Sequence, residues 1–308
     1  TMYKEWDLVF GKLYGNENEE TDFTSVSPSI KELYGVEDDK NINSKYYLFS
    51  LQTFFNAFLK LLINSFLSQM INPLFTTEFN LNGVDIIKLF SGEEPEQNRI
   101  VRNFFELHYL EWFVFAMIPN SKEEKAMIKI VNEILRLLDN FDLTTFLLKP
   151  ENIQDVFQEV YMSMIPENMR HLMGEYFSPD WIVEYVLDMV GFDGDIEKSL
   201  IDPTGGSGPF ILQALKKVVS KQGGNLNRED IDKITNNIVS FDINPISVVA
   251  AKANYILVLM SAYRGSYDLD FKVGNSIDIP VYIADSVLAP VVYSEESQDT
   301  IQVRSEEH

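Results

Sequence analysis

The sequence contains no cysteine, which excludes disulfides, thiolate metal sites and a cysteine nucleophile and suits a reducing, cytoplasmic setting. It is also short of positive charge: 25 Lys and Arg stand against 47 Asp and Glu, a formal net charge of −22. Affinity for DNA grows with cations that displace its counterions. The chain is therefore expected to bind duplex DNA weakly by itself, and its acidity reads first as a solubilising surface. The N-terminus lacks the basic and then apolar segments of a signal peptide, and a start at Thr1 suggests a processed or engineered end. No long run is purely apolar. The densely apolar stretch Lys45–Ile71 is broken by Gln52, Asn56, Lys60, Asn64 and Gln69 at about one-turn intervals, whereas a membrane span needs about 20 predominantly apolar residues. A central bundle helix is expected there, and no membrane.

What is present suffices for two domains: 308 residues, 45% apolar and 13% aromatic. Residues 1–165 read as a helical N-terminal domain. Its first 45 residues are polar and turn-rich, which predicts a loosely packed arm with one or two short helices. Apolar residues at helical spacing then mark Lys45–Ile71, Asn98–Ile118, Lys122–Phe141 and Glu151–Met164. From 166 to 308 the pattern alternates between strand and helix. Ser178 is a plausible N-cap with Pro179 at the first helical position. Strand Ser199–Ile201, helix Pro209–Lys221, a linker helix near Arg228–Asn236, strand Asn237–Phe241 and helix Pro245–Tyr263 follow, with strand candidates at Leu269–Val273 and Val281–Ala284. This order implies an α/β fold with a parallel, doubly wound sheet.

Two short runs carry the chemistry. Asp202-Pro-Thr-Gly-Gly-Ser-Gly-Pro-Phe210 follows a predicted strand and opens a predicted helix, where glycine lets the backbone turn sharply and a ligand approach it closely. A dinucleotide site would continue to a third glycine, but Ile211 stands there. A ligand without a pyrophosphate is favoured, and S-adenosylmethionine is the common alternative. The acidic residue beside the turn suits that cation. Asp242, in Phe241-Asp-Ile-Asn-Pro245, ends the next predicted strand, where a carboxylate accepts hydrogen bonds from ribose hydroxyls. Asn244 fits better as the cap of the helix that follows.

Together with Gly174-Glu-Tyr-Phe-Ser-Pro179, these runs resemble the cofactor motifs of the N6-adenine DNA methyltransferases of type I and type IIG restriction-modification systems. The resemblance extends from Gly174 to about Leu288. It implies a Rossmann-like S-adenosylmethionine-dependent methyltransferase sheet. It also implies that Tyr176, Phe177, Ser178 and Pro179 close over the methionine end of the cofactor. The floor would be Asp202, Thr204, Gly205, Gly206, Ser207 and Gly208, and the ribose-binding motif Asp242 with Ile243. Two loops could contact the adenine ring, one offering Asn275 after Gly274 and the other Asp285.

The family's catalytic motif, Asn/Asp-Pro-Pro-Tyr/Phe, holds a target base that must leave the duplex to be reached. It occurs nowhere in these 308 residues; Asn72-Pro73 and Asn244-Pro245 have other contexts. No catalytic residue is therefore assigned. A target-recognition domain is also missing before the chain stops at Ser305-Glu-Glu-His308. The expectation is an incomplete sheet, cut before the catalytic motif, in a piece that binds cofactor but does not methylate alone. Duplex DNA would be met through a full-length enzyme or a partner chain, with a specificity or nuclease subunit or domain as further partner. Glu123-Glu-Lys125 matches part of a nuclease metal motif but sits in a charged first helical turn, and His108 and His171 are isolated, so no metal is expected. Two alternatives stay open: a methyltransferase acting on RNA or protein, and a noncatalytic interaction module.

Overall fold

The computed structural model describes residues 2–14, 44–71, 81–91, 100–106, 109–140, 156–165, 167, 170, 175–265, 275–286, 291–293 and 301–303. Its first part is helical. Helix α1 (Met2–Tyr14) is docked rather than loose: Trp6 is 2% exposed, its indole donates to Gln52 Oε1 at 2.7 Å, and its ring packs against Tyr3 and Phe49. Residues 15–43 of the expected arm lie outside the described residues. Helix α2 (Ser44–Ile71) is the central rod, with Phe55, Leu59, Ile63, Phe66 and Leu67 all buried. Three of its polar interruptions, Gln52, Asn56 and Lys60, are buried too, and partnered. Lys60 pairs with Glu111, both fully buried, and also donates to the Glu106 carbonyl at 2.7 Å. Asn56 donates to the same Glu111 carboxylate at 2.7 Å.

Helix α3 (Gly83–Ser91) precedes the segment where the sequence predicted a helix over Asn98–Ile118, and there the structure differs. Residues 100–106 form turns, Val101 bridges Ile277 in parallel, and among the described residues of the segment only a 3-10 turn (Tyr109–Glu111) and the one-turn α4 (Phe113–Ala116) are helical. The backbone of this segment is claimed from far along the chain: Arg102 N donates to the Ile277 carbonyl at 3.1 Å, and Ile277 N to the Ile100 carbonyl at 2.8 Å. Helix α5 (Lys122–Leu138) opens on Ser121, whose hydroxyl accepts the Glu124 amide, and places Glu123 and Glu124 where the helix dipole favours them. Helix α6 (Val156–Met164) completes this part.

Helix α7 (Asp180–Met189) starts one residue later than predicted, with Pro179 as N-cap: its carbonyl accepts from Ile182 and Val183. The reason is that Pro179 is extended (φ −62°, ψ 147°), which leaves Ser178 in the extended lead-in. Strand β1 (Leu200–Asp202), helices α8 (Pro209–Lys221) and α9 (Arg228–Asn237), strand β2 (Ile238–Asp242), helix α10 (Pro245–Ala262) and strand β3 (Val281–Ile283) follow within a residue or so of expectation. The predicted strand Leu269–Val273 lies outside the described residues. The strands pair in parallel in the order β1-β2-β3, with Asp202 beside Ser240 and Ser240 beside Val281. A short antiparallel pair, β4 (Val291–Tyr293) and β5 (Ile301–Val303), was not foreseen.

Helix α10 is apolar on every side and passes the length and composition test for a membrane span, yet 94% of it is buried in the protein. It is the core helix that a helix of this pattern makes. Buried Tyr255 on α10 donates its hydroxyl toward the Ile234 and Ile238 carbonyls, tying α10 to the junction of α9 and β2. One hydrophobic cluster runs from Trp6 through Phe55 on α2 and Ile256 on α10 to Val281 on β3. The other face of the sheet is less covered: Ile201 is 65% and Tyr282 40% exposed, beside half-buried Val239 and Phe241.

Candidate functional site

The chain leaves β1 through the glycine turn that the sequence predicts. Gly205 N donates to the Phe241 carbonyl on β2 at 2.8 Å, and Gly208 N closes the turn on the Gly205 carbonyl at 2.8 Å. Gly208 caps α8 with φ at +90°, a left-handed conformation that favours glycine, and a Cβ there would stand 3.0 Å from Ala251 Cβ on α10. The turn is braced from behind by Asn254, which donates to the Ser207 carbonyl at 3.1 Å. At Gly206 a Cβ would meet nothing within 4 Å, because this residue faces open space.

That space is a cavity of about 300 Å³, at the small end of ligand sites. Of the residues singled out in the sequence, Tyr176, Phe177, Ser178, Thr204, Gly205, Gly206, Ser207, Asp242 and Ile243 line it. Asp202, Gly208 and Pro179 do not. Asp202 lies beneath the turn, 8% exposed, accepting the Thr204 amide at 3.2 Å. Neither loop candidate for the adenine ring lines the cavity; Asn275 is exposed and Asp285 half-buried.

Asp242 joins the two halves of the site. Its Oδ2 accepts the Gly206 amide at 2.8 Å and its Oδ1 the Asn244 amide at 2.7 Å. Burial raises its pKa, against the lowering effect of backbone donors at Asn244, Gly206 and Ile243. Burial likewise raises that of Asp202, with the Thr204 amide opposing and repulsion from Asp242 adding. Each is an aspartate that a cation would hold more readily in its charged form.

Several lining residues had no functional assignment in the sequence. Phe55 on α2 and Phe157, Gln158 and Tyr161 on α6 form a wall of the cavity, although helical periodicity marks such residues only as core. Glu175 lines it as well, inside the quoted Gly174–Pro179 run but without an assigned role, and Asn244, read as a cap, does cap α10 through Ile246 N and also faces the cavity. The lining holds two carboxylates, Glu175 and Asp242, and no Lys, Arg or His among the described residues. With aromatic rings alongside, this chemistry fits a cationic ligand that carries a flat or apolar part.

Residues 152–295 match the model of the N-6 DNA Methylase family. The chain is 30% identical over 116 residues to the adenine-specific methyltransferase PglX of Streptomyces coelicolor, covering 35% of this chain and 9% of that protein. It is 23% identical over 172 residues to the type I restriction enzyme MjaVII methylase subunit of Methanocaldococcus jannaschii, covering 56% of this chain and 25% of that one. The aligned stretches thus span at most a quarter of either relative's length. Among solved structures, a modification subunit ascribed to a type I restriction enzyme of Vibrio vulnificus aligns with TM-score 0.40 at 12% identity, covering 85% of this chain and 55% of that one. Residues 152–295, a little under half of the chain, thus resemble the N-6 DNA methylase family, and the relatives matched are named as an adenine-specific methyltransferase and a type I restriction methylase subunit.

Proposed function

We propose that this chain is the S-adenosylmethionine-binding part of a DNA adenine-N6 methyltransferase, with a helical part over 1–165 and a Rossmann-like methyltransferase part over 166–308. The observation that carries this reading is the cavity at the ends of β1 and β2, where Gly206 leaves room for a ligand and Asp242 and Glu175 face it without a lining cation. A ligand at the carboxyl ends of parallel strands is the general rule for open α/β sheets. Asp242 would hold the ribose hydroxyls, the Thr204–Ser207 turn would support the cofactor's backbone-facing side, and Tyr176–Ser178 would cover it. When bound, the cofactor supplies an activated methyl group on a sulfonium; the chain's own residues bind it, orient it and exclude water.

The acceptor under this proposal is the amino group of adenine in duplex DNA. The base-holding Asn/Asp-Pro-Pro-Tyr/Phe segment would come from polypeptide outside these 308 residues, in the same enzyme or in a partner, as would a specificity or nuclease component. Two features support such an addition. Strand β1 is at the sheet's edge, and Ile201 and Tyr282 leave an apolar sheet face exposed, whereas parallel sheets are covered on both faces. Titration calorimetry tests the cofactor half: the chain should bind S-adenosylmethionine, and Asp242→Asn should weaken it by about ten- to a hundredfold, the range for a hydrogen bond to a charged group. Absence of binding by the wild-type chain overturns the reading. Methyl transfer to duplex DNA by the purified chain alone would contradict the assignment of base holding to other polypeptide.

A further inference from the structure

Arg170 does not line the cavity, yet it makes three ties beside it. Its Nε donates to the Ile165 carbonyl at 3.2 Å, just past the C-terminal end of α6. Carbonyls there are left unsatisfied by the helix itself, and a cation is favoured beside them. The Arg170 carbonyl accepts the Glu175 amide at 2.9 Å. Its guanidinium stands over the Phe177 ring, 5.6 Å from the centroid, within the range of a cation–π contact. One residue therefore binds the end of α6 to Glu175 and Phe177, in the segment Glu175–Ser178 that lines the cavity. Helix α6 is itself held: Phe157 is 1% exposed, and Tyr161 meets the Phe55 ring of α2 edge to face at 5.4 Å. Tyr176, by contrast, is 74% exposed. The middle of the segment thus has little packing of its own, and its place is set by the ties at Glu175 and Phe177.

We propose that Arg170 is a positioning residue for the ligand: it latches Phe177, and with it Tyr176–Ser178, to the anchored end of α6, and so keeps this segment closed over the filled cavity. This rests on the reading of the cavity as an S-adenosylmethionine site. Arg170 acts through Phe177, without touching the ligand, and α6 becomes the fixed post to which the cover is fastened. The charge of Arg170 gives the role a distinctive sign. S-adenosylmethionine is a cation, so removing a positive charge beside the cavity strengthens its binding by electrostatics alone. Loss of a latch weakens it.

The test is a double-mutant cycle on S-adenosylmethionine affinity in the full chain. Arg170→Ala should lower the affinity about tenfold, chiefly through faster dissociation. In a Phe177→Leu background the same change should cost less than about threefold, because the ring it latched is gone. Arg170→Lys keeps the charge and loses the planar fork; it should weaken binding at smaller amplitude, and it supplies the same cycle if Arg170→Ala does not fold. At saturating ligand, hydrogen exchange at the Phe177 and Ser178 amides should be slowed in the wild type and stay fast in Arg170→Ala, while the Gly206 and Ser207 amides are slowed in both. Unchanged or tighter binding by the Arg170 variants, or equal losses in both backgrounds, overturns the latch while leaving the cofactor reading intact. A wild-type chain that does not bind S-adenosylmethionine overturns the cofactor reading itself, and this inference with it.

Discussion

Asp242 accepts the Gly206 amide at 2.8 Å, so the acid that ends β2 fastens the glycine turn that ends β1. The same two strands meet again one layer deeper. A Cβ on Gly205 would fall within contact distance of Ser240 Oγ, a fully buried hydroxyl with no hydrogen-bond partner among the described residues. Gly205→Ala should therefore destabilise the chain by about 1–3 kcal/mol, the usual range for overpacking. Ser240→Ala removes the obstructing atom at little cost, since that hydroxyl satisfies nothing. The double variant should recover most of the loss in denaturant unfolding, giving a coupling that two independent sites would not show.

The pH dependence of the site has two parts of opposite sign. The pKa values of Asp202 and Asp242 are raised by burial, so the folded state holds protons that the unfolded state has already released. Their contribution to stability is least favourable when both are ionised, and it improves as pH falls through the raised values. A cationic ligand requires the ionised forms. Calorimetry should find affinity for S-adenosylmethionine constant near neutral pH and falling on acidification, beginning above the ordinary aspartate value of about 3.9. Asp242→Asn should flatten that fall, and a wild-type affinity that fell no earlier on acidification than the ordinary aspartate range would contradict the assignment of these carboxyls to the ligand.

How much of this was legible depended on where each segment's hydrogen bonds go. Helix α8 was readable to the residue because Gly208 and Pro209 are local start signals, and β1, β2 and α10 followed from short apolar runs between turn residues. The segment Asn98–Ile118 has an apolar pattern compatible with a helix, but the Arg102 amide and the Ile100 carbonyl are taken by Ile277, and the Asn103 side chain by Ile279, more than 170 positions away. Periodicity has no access to such pairing. Half of the cavity was likewise visible, the half built from the glycine turn and Asp242. Phe157 and Tyr161 were not, because an aromatic stripe on a helix looks the same whether it faces a core or a ligand. Glu175 was quoted in a motif, and the structure ties it to the site through Tyr161 and Asn244.

The buried pair between α2 and the 3-10 turn makes a further prediction. Lys60 and Glu111 are both fully buried and in direct contact, and burial pulls the Lys60 pKa down against the raising effect of Glu111. Removing one partner leaves a charge in the core without compensation, which costs about 3–5 kcal/mol, whereas replacing both by apolar residues is often neutral. Lys60→Met should be strongly destabilising in urea titrations. Lys60→Met with Glu111→Leu should regain most of the loss, less the hydrogen bond that Asn56 then forfeits.

The contact between residues 100–106 and the sheet side separates two kinds of bond in adjacent residues. Asn103 donates to the Ile279 carbonyl at 3.0 Å and accepts the Ile279 amide at 2.9 Å, at a site 9% exposed. Arg102 pairs with Asp278 in the open, its side chain 64% exposed. Solvent-exposed pairs contribute about 0–1 kcal/mol, while removing the buried Asn103 amide orphans the Ile279 N–H at about 1–3 kcal/mol, although the Ile279 carbonyl keeps the Val281 amide at 2.8 Å. Asn103→Ala should therefore lower stability well beyond Arg102→Ala. Hydrogen exchange should locate the difference, with faster exchange at the amides of Ile277 and Ile279 in the Asn103 variant only. Equal effects would mean that the exposed ion pair, and not the buried amide, holds this segment to the sheet.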